Sequence, residues 1–336
     1  MAKPRNILVV RQDRIGDVVL ASALPRELKR QWPDCRVTLL VRRYTAPLFD
    51  HNPHVDEVLT DDYVDATRRA SFWNRVGQLR RRRFTHALML LPQARINYMT
   101  FCAGIPVRVG HGIILFHALT GVRPVMTRKF QTGRHEAAYS LDLARAIGVQ
   151  GDDYTPELFL GPGEKARVAG LREVWTRDGR RIIGIHSTSG KSSPNWDPAG
   201  YAELARLLMD DPKVQLVITD HEVPGELQGL PGVLYPNVGG LRRAMVHLAA
   251  LDVLVAASTG PMHMAAALKV PTMSAFCPLP NCTPELWGPV GNTAKILMPE
   301  AAYCRDQCPG DPHVCTFEGS LELTPAAMAA ALRSSS

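Results

Sequence analysis

The chain has 336 residues, 46% hydrophobic and 21% charged, the balance of a soluble globular protein long enough for two domains of ordinary size. No apolar run approaches the roughly 20 residues needed to span a bilayer, and the run at Ile7, Leu8, Val9 and Val10 stops at Arg11, too short for a signal peptide. The net charge of +7 is uneven: residues 1–150 hold 24 Lys+Arg against 12 Asp+Glu (+12), while residues 151–336 hold 15 against 20 (−5).

These features predict a cytoplasmic chain whose seven Cys are thiols or ligands rather than disulfides. The basic front half should attract an anionic partner: nucleic acid, an anionic membrane face or a phosphorylated substrate. Arg80, Arg81, Arg82 and Arg83 read as a solvated helix end, where cations are favoured.

Residues 6–11 (NILVVR) predict a buried strand, followed by the polar turn Gln12-Asp13-Arg14-Ile15-Gly16-Asp17. A helix then runs to about Gln31, with Val18, Leu20, Ala21, Leu24 and Leu28 on its apolar side. Further strands are predicted at residues 36–41, around Val58 and Leu59, at 87–91 and at 107–110, with helical segments between them. From there to about Arg134 no pattern emerges. A helix at 135–147 stops at Gly148, and the Gly- and Pro-bearing residues 150–163 read as an interdomain linker.

A second alternation follows: strands at 181–186, 214–219 and 272–276, and helices at 198–209 and 241–250. Residues 251–271, LDVLVAASTGPMHMAAALKVP, carry a β-branched apolar strand, the turn Ser258-Thr259-Gly260-Pro261, and a helix capped by Ser258 or Thr259 with Pro261 at its first position. Strands alternating with helices argue for α/β architecture with parallel sheets. Two such halves suggest two Rossmann-like, doubly wound domains, residues 1–160 and 161–336, facing a cleft, with ligands at the carboxyl ends of strands.

A helix start after a strand leaves amides unpaired at the positive end of the dipole, which favours a phosphate or another anion. Asp17, behind Gly16, suits either a general base for a hydroxyl or a charge stabilising a helix start, and spacing does not separate it from Asp13. The run His186-Ser187-Thr188-Ser189-Gly190-Lys191 has the hydroxyls, glycine and lysine of a phosphate grip. The P-loop spacing and the G-x-G-x-x-G pattern are both missing, which argues against a nucleotide hydrolase or an NAD enzyme. Cys277, Cys282, Cys304, Cys308 and Cys315, with His313, form the one cluster that could gather metal ligands, but C-x3-C-x6-C is not a standard zinc spacing. Plain thiols are the first reading. His186 and His263 suit either packed, hydrogen-bonded histidines or ligand contacts.

Three stretches resemble one family, the bacterial lipopolysaccharide heptosyltransferases of glycosyltransferase family nine. NILVVRQDRIGDVVLASALPRELKRQWPDCRVTLLV is similar to the family's opening strand, Ile-Gly-Asp turn and second strand; FDHNPHVDEV to its Asn-Pro-x-Val-Asp segment; and STGPMHMAAALKVPTMSAFCP to its donor-site Thr-Gly-Pro-Met-His signature. The resemblance implies a GT-B fold, an N-terminal acceptor domain and a C-terminal domain binding a nucleotide sugar, typically ADP-heptose. It implies inverting transfer without a metal or other cofactor. Asp17 corresponds to the base, and Arg14 and Gly16 fall on the acceptor side. Thr259, Gly260, Pro261, Met262 and His263 match the donor signature, while Thr188, Ser189, Lys191 and Glu222 are further donor contacts.

Two positions depart from the family. Ser258 stands where an Asp is common, and Pro194 stands near the place of a donor-phosphate Lys, with Lys191 three residues earlier. The implied partners are the nucleotide-sugar donor and an anionic core or lipid A acceptor at the inner face of the cytoplasmic membrane, rather than nucleic acid. Three alternatives stay open on the residues alone: transfer of another nucleotide-linked sugar, a catalytically weak nucleotide-sugar or polyanion binder that lost the acidic counterpart of Ser258, and binding of nucleic acid through the basic half.

Overall fold

The apolar runs predicted as strands pair in parallel throughout, as runs buried on both faces should. The computed structural model describes residues 5–62, 69–127, 133–176, 179–191, 193–236 and 239–334. The chain forms two compact units, Met1–Phe159 and Leu160–Ser336.

The first unit comprises β1 (Asn6–Val10), α1 (Ile15–Leu20), α2 (Ala23–Gln31), β2 (Arg36–Val41), β3 (Glu57–Thr60), α3 (Arg69–Arg82), β4 (His86–Met89), α4 (Ala94–Cys102), β5 (Val107–His111), α5 (Leu115–Thr120), β6 (Arg123–Val125) and α6 (Glu136–Arg145). Its sheet order is β3-β2-β1-β4-β5-β6. Strand order reverses between β1 and β4, and it is beyond the carboxyl ends of strands at such a reversal that doubly wound sheets leave a crevice for ligands. Leu8, Val10, Leu40, Leu79, Met89, Ile96 and Met99 form its core.

The helix predicted as continuous to Gln31 is two helices, broken at Ala21 and Ser22. The buried Ser22 hydroxyl accepts the Glu157 amide at 2.9 Å. Four residues on, Arg26 donates to the carbonyls of Asp153 and Thr155 and to the Glu157 carboxylate at 2.6 Å. Residues 153–157, which belong to no helix or strand, are thereby held on the first unit. Where the sequence showed no pattern after residue 110, the chain forms α5 and β6; residues 128–132 of that stretch lie outside the described residues. Gly16 and Asp17 are not in a turn: both lie in the first turn of α1.

The second unit comprises α7 (Pro162–Trp175), β7 (Arg181–His186), α8 (Pro198–Met209), β8 (Val214–Ile218), α9 (Leu241–Ala249), β9 (Val253–Ala257), α10 (Gly260–Ala267), β10 (Thr272–Ala275), α11 (Pro284–Trp287), β11 (Ala294–Leu297), α12 (Ala301–Asp306) and α13 (Pro325–Ser334). The order β11-β10-β9-β7-β8 puts its reversal between β7 and β9. There Gly184 makes room for the helix-to-strand turn above it: a Cβ at Gly184 would stand 2.3 Å from Leu251 Cδ1.

Candidate active site

Two polar sites stand at the two switch points. In the first unit, β1 delivers Arg11, whose guanidinium is buried and surrounded by three carboxylates. It lies 2.9 Å from Asp13, 2.8 Å from Asp17 and 3.3 Å from Glu136, the last supplied by the start of α6. One cation cannot neutralise three anions in a weakly solvated place. Burial, with Asp17 adding repulsion, pushes the Asp13 carboxyl up to about 6 despite Arg11. Asp17 is one-fifth exposed, and Arg14, at the N-cap position of α1, is exposed. Asp17 sits on α1, while Asp13, which shares the Arg11 guanidinium with it, lies in the loop after β1, where the Tyr44 hydroxyl donates to the Asp13 carbonyl at 2.9 Å.

In the second unit β7 and β9 are neighbours, with His186 opposite Ala256, so the loops that follow them emerge side by side. Ser193 Oγ donates to the Ser258 carbonyl at 2.9 Å and ties the two loops together. The first loop is organised by Asp220, a fully buried carboxylate just past β8. It accepts the Ser187 amide and hydroxyl at 3.0 Å, the Thr188 amide at 2.8 Å and the Thr188 hydroxyl at 2.6 Å. Asp220 was not anticipated; a lone acid beside Thr219 at a strand end was its only signal. The predicted grip changes accordingly, because the Thr188 hydroxyl is spent on Asp220 rather than left for phosphate. His186 donates from Nδ1 to Thr219 at 3.1 Å, since the Thr219 hydroxyl is itself turned to the Ile185 carbonyl. Burial pushes the His186 pKa down against the pull of Asp220.

Lys191 is exposed in the left-handed region with φ 53°, and its carbonyl accepts from His313. Ser189 and Glu222 flank the same strand ends, and Glu222 is exposed. Ser192 lies outside the described residues.

The second loop runs into α10. Thr259, not Ser258, holds the N-cap position, and it does so with extended backbone but no side-chain cap; Gly260 is first in the helix and Pro261 second. Thr259 Oγ1 is buried with no hydrogen-bond partner among the described residues. Pro261 has no N–H, and the His263 amide is bonded to the Thr259 carbonyl at 3.3 Å. Of the five signature residues, Thr259, Gly260 and Met262 therefore keep amides at the positive helix end. The Met262 and His263 side chains are buried.

Five of the seven cysteines gather in the second unit. Cys277, Cys282 and Cys315 belong to the second core, with Cys304 and Cys308 packed against it. Burial, with Cys282, Cys304 and Cys315 nearby, pushes the Cys277 thiol up to about 11. Among the described residues no group of three or more His, Cys, Asp or Glu is arranged to hold a metal.

A family model described as glycosyltransferase family 9 (heptosyltransferase) matches residues 73–311, a span that includes the α10 signature and begins after Asp17. The chain is 24% identical over 342 residues to lipopolysaccharide heptosyltransferase 2 of Escherichia coli strain K12, with 95% of each covered. It is 24% identical over 315 residues to lipooligosaccharide heptosyltransferase 2 of Haemophilus influenzae, covering 87% of this chain and 88% of that one. The solved structure of the E. coli ADP-heptose lipopolysaccharide heptosyltransferase II matches with a TM-score of 0.74 at 21% identity, over 98% of both chains. That likeness is one of fold, and the fold is GT-B. Since the family match spans well over half the residues, the chain belongs to glycosyltransferase family 9 and is a glycosyltransferase.

Proposed function

We propose that the chain moves heptose, or a related sugar, from ADP-heptose to an anionic lipopolysaccharide core acceptor, with inversion at the anomeric carbon and without a metal. The observation that carries this reading is Asp17, a part-exposed carboxylate held by Arg11 at the switch point of the basic unit. Asp17 takes the proton of an acceptor hydroxyl as that oxygen attacks the anomeric carbon. The bond from that carbon to the diphosphate oxygen breaks, and its electron pair leaves with ADP.

The Gly260 and Met262 amides, the Thr259 hydroxyl and Lys191 take up the charge growing on the diphosphate. Ser189 and the Ser258 turn complete the donor side, and Glu222 meets the ribose. Arg14 and the α1 backbone at Gly16 meet the acceptor. The chain's likeness to an ADP-heptose lipopolysaccharide heptosyltransferase supports the donor and the acceptor class. A lipid-anchored acceptor would place the enzyme peripherally on the inner face of the cytoplasmic membrane; among the described residues no helix is long and apolar enough to cross a membrane.

The test is nucleotide release from ADP-heptose with deacylated core acceptor in EDTA, beside calorimetric titration with ADP-heptose, UDP-hexoses and GDP-sugars. Release with ADP-heptose in EDTA supports the reading. Tighter binding of a UDP- or GDP-sugar overturns the donor, and binding without release from any donor turns the protein into a binder.

A further inference from the structure

The face formed by α4 and α5 in the first unit is built against the usual rule for a surface helix. On α5, His117 and Thr120 are buried while Leu115 and Leu119, one turn apart, are 75% and 67% exposed. On α4, Tyr98 and Phe101 are 40% and 47% exposed and share a face by their i, i+3 spacing. The helices are locked side by side: Asn97 Nδ2 donates to the Phe116 carbonyl at 2.9 Å and to the Thr120 hydroxyl at 2.7 Å. Ile113 and Met126, 74% and 64% exposed, continue the patch from the ends of β5 and β6, which the bond from the Gly112 amide to the Val125 carbonyl holds together. Six large apolar side chains thus stand outward on adjoining elements, which marks an interaction surface.

Charge identifies the partner. Residues 66–135 contain 13 Arg and Lys and no Asp or Glu. Arg108 lies 5.3 Å from the Phe101 ring and donates to the Thr120 carbonyl, Arg80 reaches the Cys102 carbonyl, and the exposed Arg123 leads into Met126. Apolar side chains rimmed by arginine fit the boundary between acyl chains and anionic headgroups. A second copy of the same cationic face would be repelled, and nucleic acid has no use for outward aliphatic side chains.

We propose that the α4–α5 face docks the enzyme on an anionic lipid bilayer, with Leu115 and Leu119 entering the headgroup layer. This rests on the reading that the acceptor is membrane-anchored, and it names the surface that brings the enzyme to it.

The test is co-sedimentation of the full chain with phosphatidylglycerol-containing vesicles and with phosphatidylcholine vesicles, at low and high salt. Wild type is expected to bind the anionic vesicles, to release with salt, and to bind neutral vesicles far less. The double variant Leu115→Ser/Leu119→Ser should partition at least tenfold less, as should Ile113→Ser/Met126→Ser, with melting temperature, ADP affinity and nucleotide release toward deacylated acceptor unchanged. Absence of wild-type binding, unchanged binding of both variants, leucine-dependent dimers without lipid, or tighter binding to DNA than to vesicles would each overturn the docking face. Any of these with release on soluble acceptor intact leaves the transferase reading standing; vesicle binding without release does the reverse.

Discussion

Arg11 and Asp17 lie 2.8 Å apart, and that single guanidinium also serves Asp13 and Glu136. The pairing fixes the Asp17 carboxylate in place while leaving it one-fifth exposed, which suits a side chain that must meet an acceptor hydroxyl. Asp17→Asn keeps the shape and loses the base. Nucleotide release should fall about 10²- to 10⁴-fold with ADP affinity unchanged; equal rates in a steady-state assay would remove Asp17 from the chemistry.

Removing the cation is a different experiment. Arg11→Met leaves three carboxylates converging on an apolar side chain, and breaking a buried pair this way costs about 3–5 kcal/mol. Urea denaturation should show that loss, and it should shrink in acid as the carboxylates take protons.

The Asp13 carboxyl stands at about 6 against an ordinary 3.8. Because the folded value is raised, its contribution to stability is complete below about pH 4 and is lost as pH rises through about 6. Asp13→Asn should therefore gain on wild type in melting temperature above pH 6 and show no gain below pH 4. A constant difference across that range would contradict the assignment.

His86 has the opposite sign. Its ring lies between Arg5, 2.9 Å from Nε2, and Thr85, 2.8 Å from Nδ1, and burial followed by the Arg5 charge pushes its pKa down from 6.5 to about 4. A lowered value means a contribution complete above pH 6.5 and lost as pH falls through about 4. His86→Gln should flatten the decline in stability over that window, read by thermal melts in a pH series.

Asp220 and Thr259 separate a structural role from a binding role. Asp220→Ala strips four donors of their buried acceptor and should cost about 3 kcal/mol or more, with ADP affinity falling as the 187–191 loop loosens. Thr259→Val removes a hydroxyl with no protein partner among the described residues. It should leave stability within about 0.5 kcal/mol and weaken ADP binding about tenfold, the scale of one hydrogen bond to a charged group. Calorimetry showing full affinity for Thr259→Val would take that hydroxyl out of the donor site.

Gly184→Ala tests the packing beneath that site. The added methyl meets Leu251 Cδ1 at 2.3 Å, so the Leu251 turn must shift, at a cost of about 1–3 kcal/mol. Pairing it with Leu251→Ala should recover part of the loss in a double-mutant cycle.

Much of the architecture was legible in the residues themselves. Apolar runs such as NILVV and VLVAA declare strands buried on both faces, and the alternation with helices implies parallel sheets. The STGPMH turn declares a helix start carrying free amides. These are local properties, readable because backbone geometry imposes a short period on burial. Weakly patterned pieces escaped: α5 hides its helical period by burying His117 and Thr120 beneath outward leucines, and β11 is mostly exposed.

What only the tertiary structure decided are the meetings of residues far apart in the chain. Glu136 reaches Arg11 across 125 positions, and Asp220 reaches Ser187 across 33. Strand order brings β1 beside β4 and β7 beside β9, and no local pattern encodes strand order. Propensity and periodicity follow from each residue's neighbours along the backbone, whereas a buried charge is stabilised by whichever opposite charge the packed sheet carries to it.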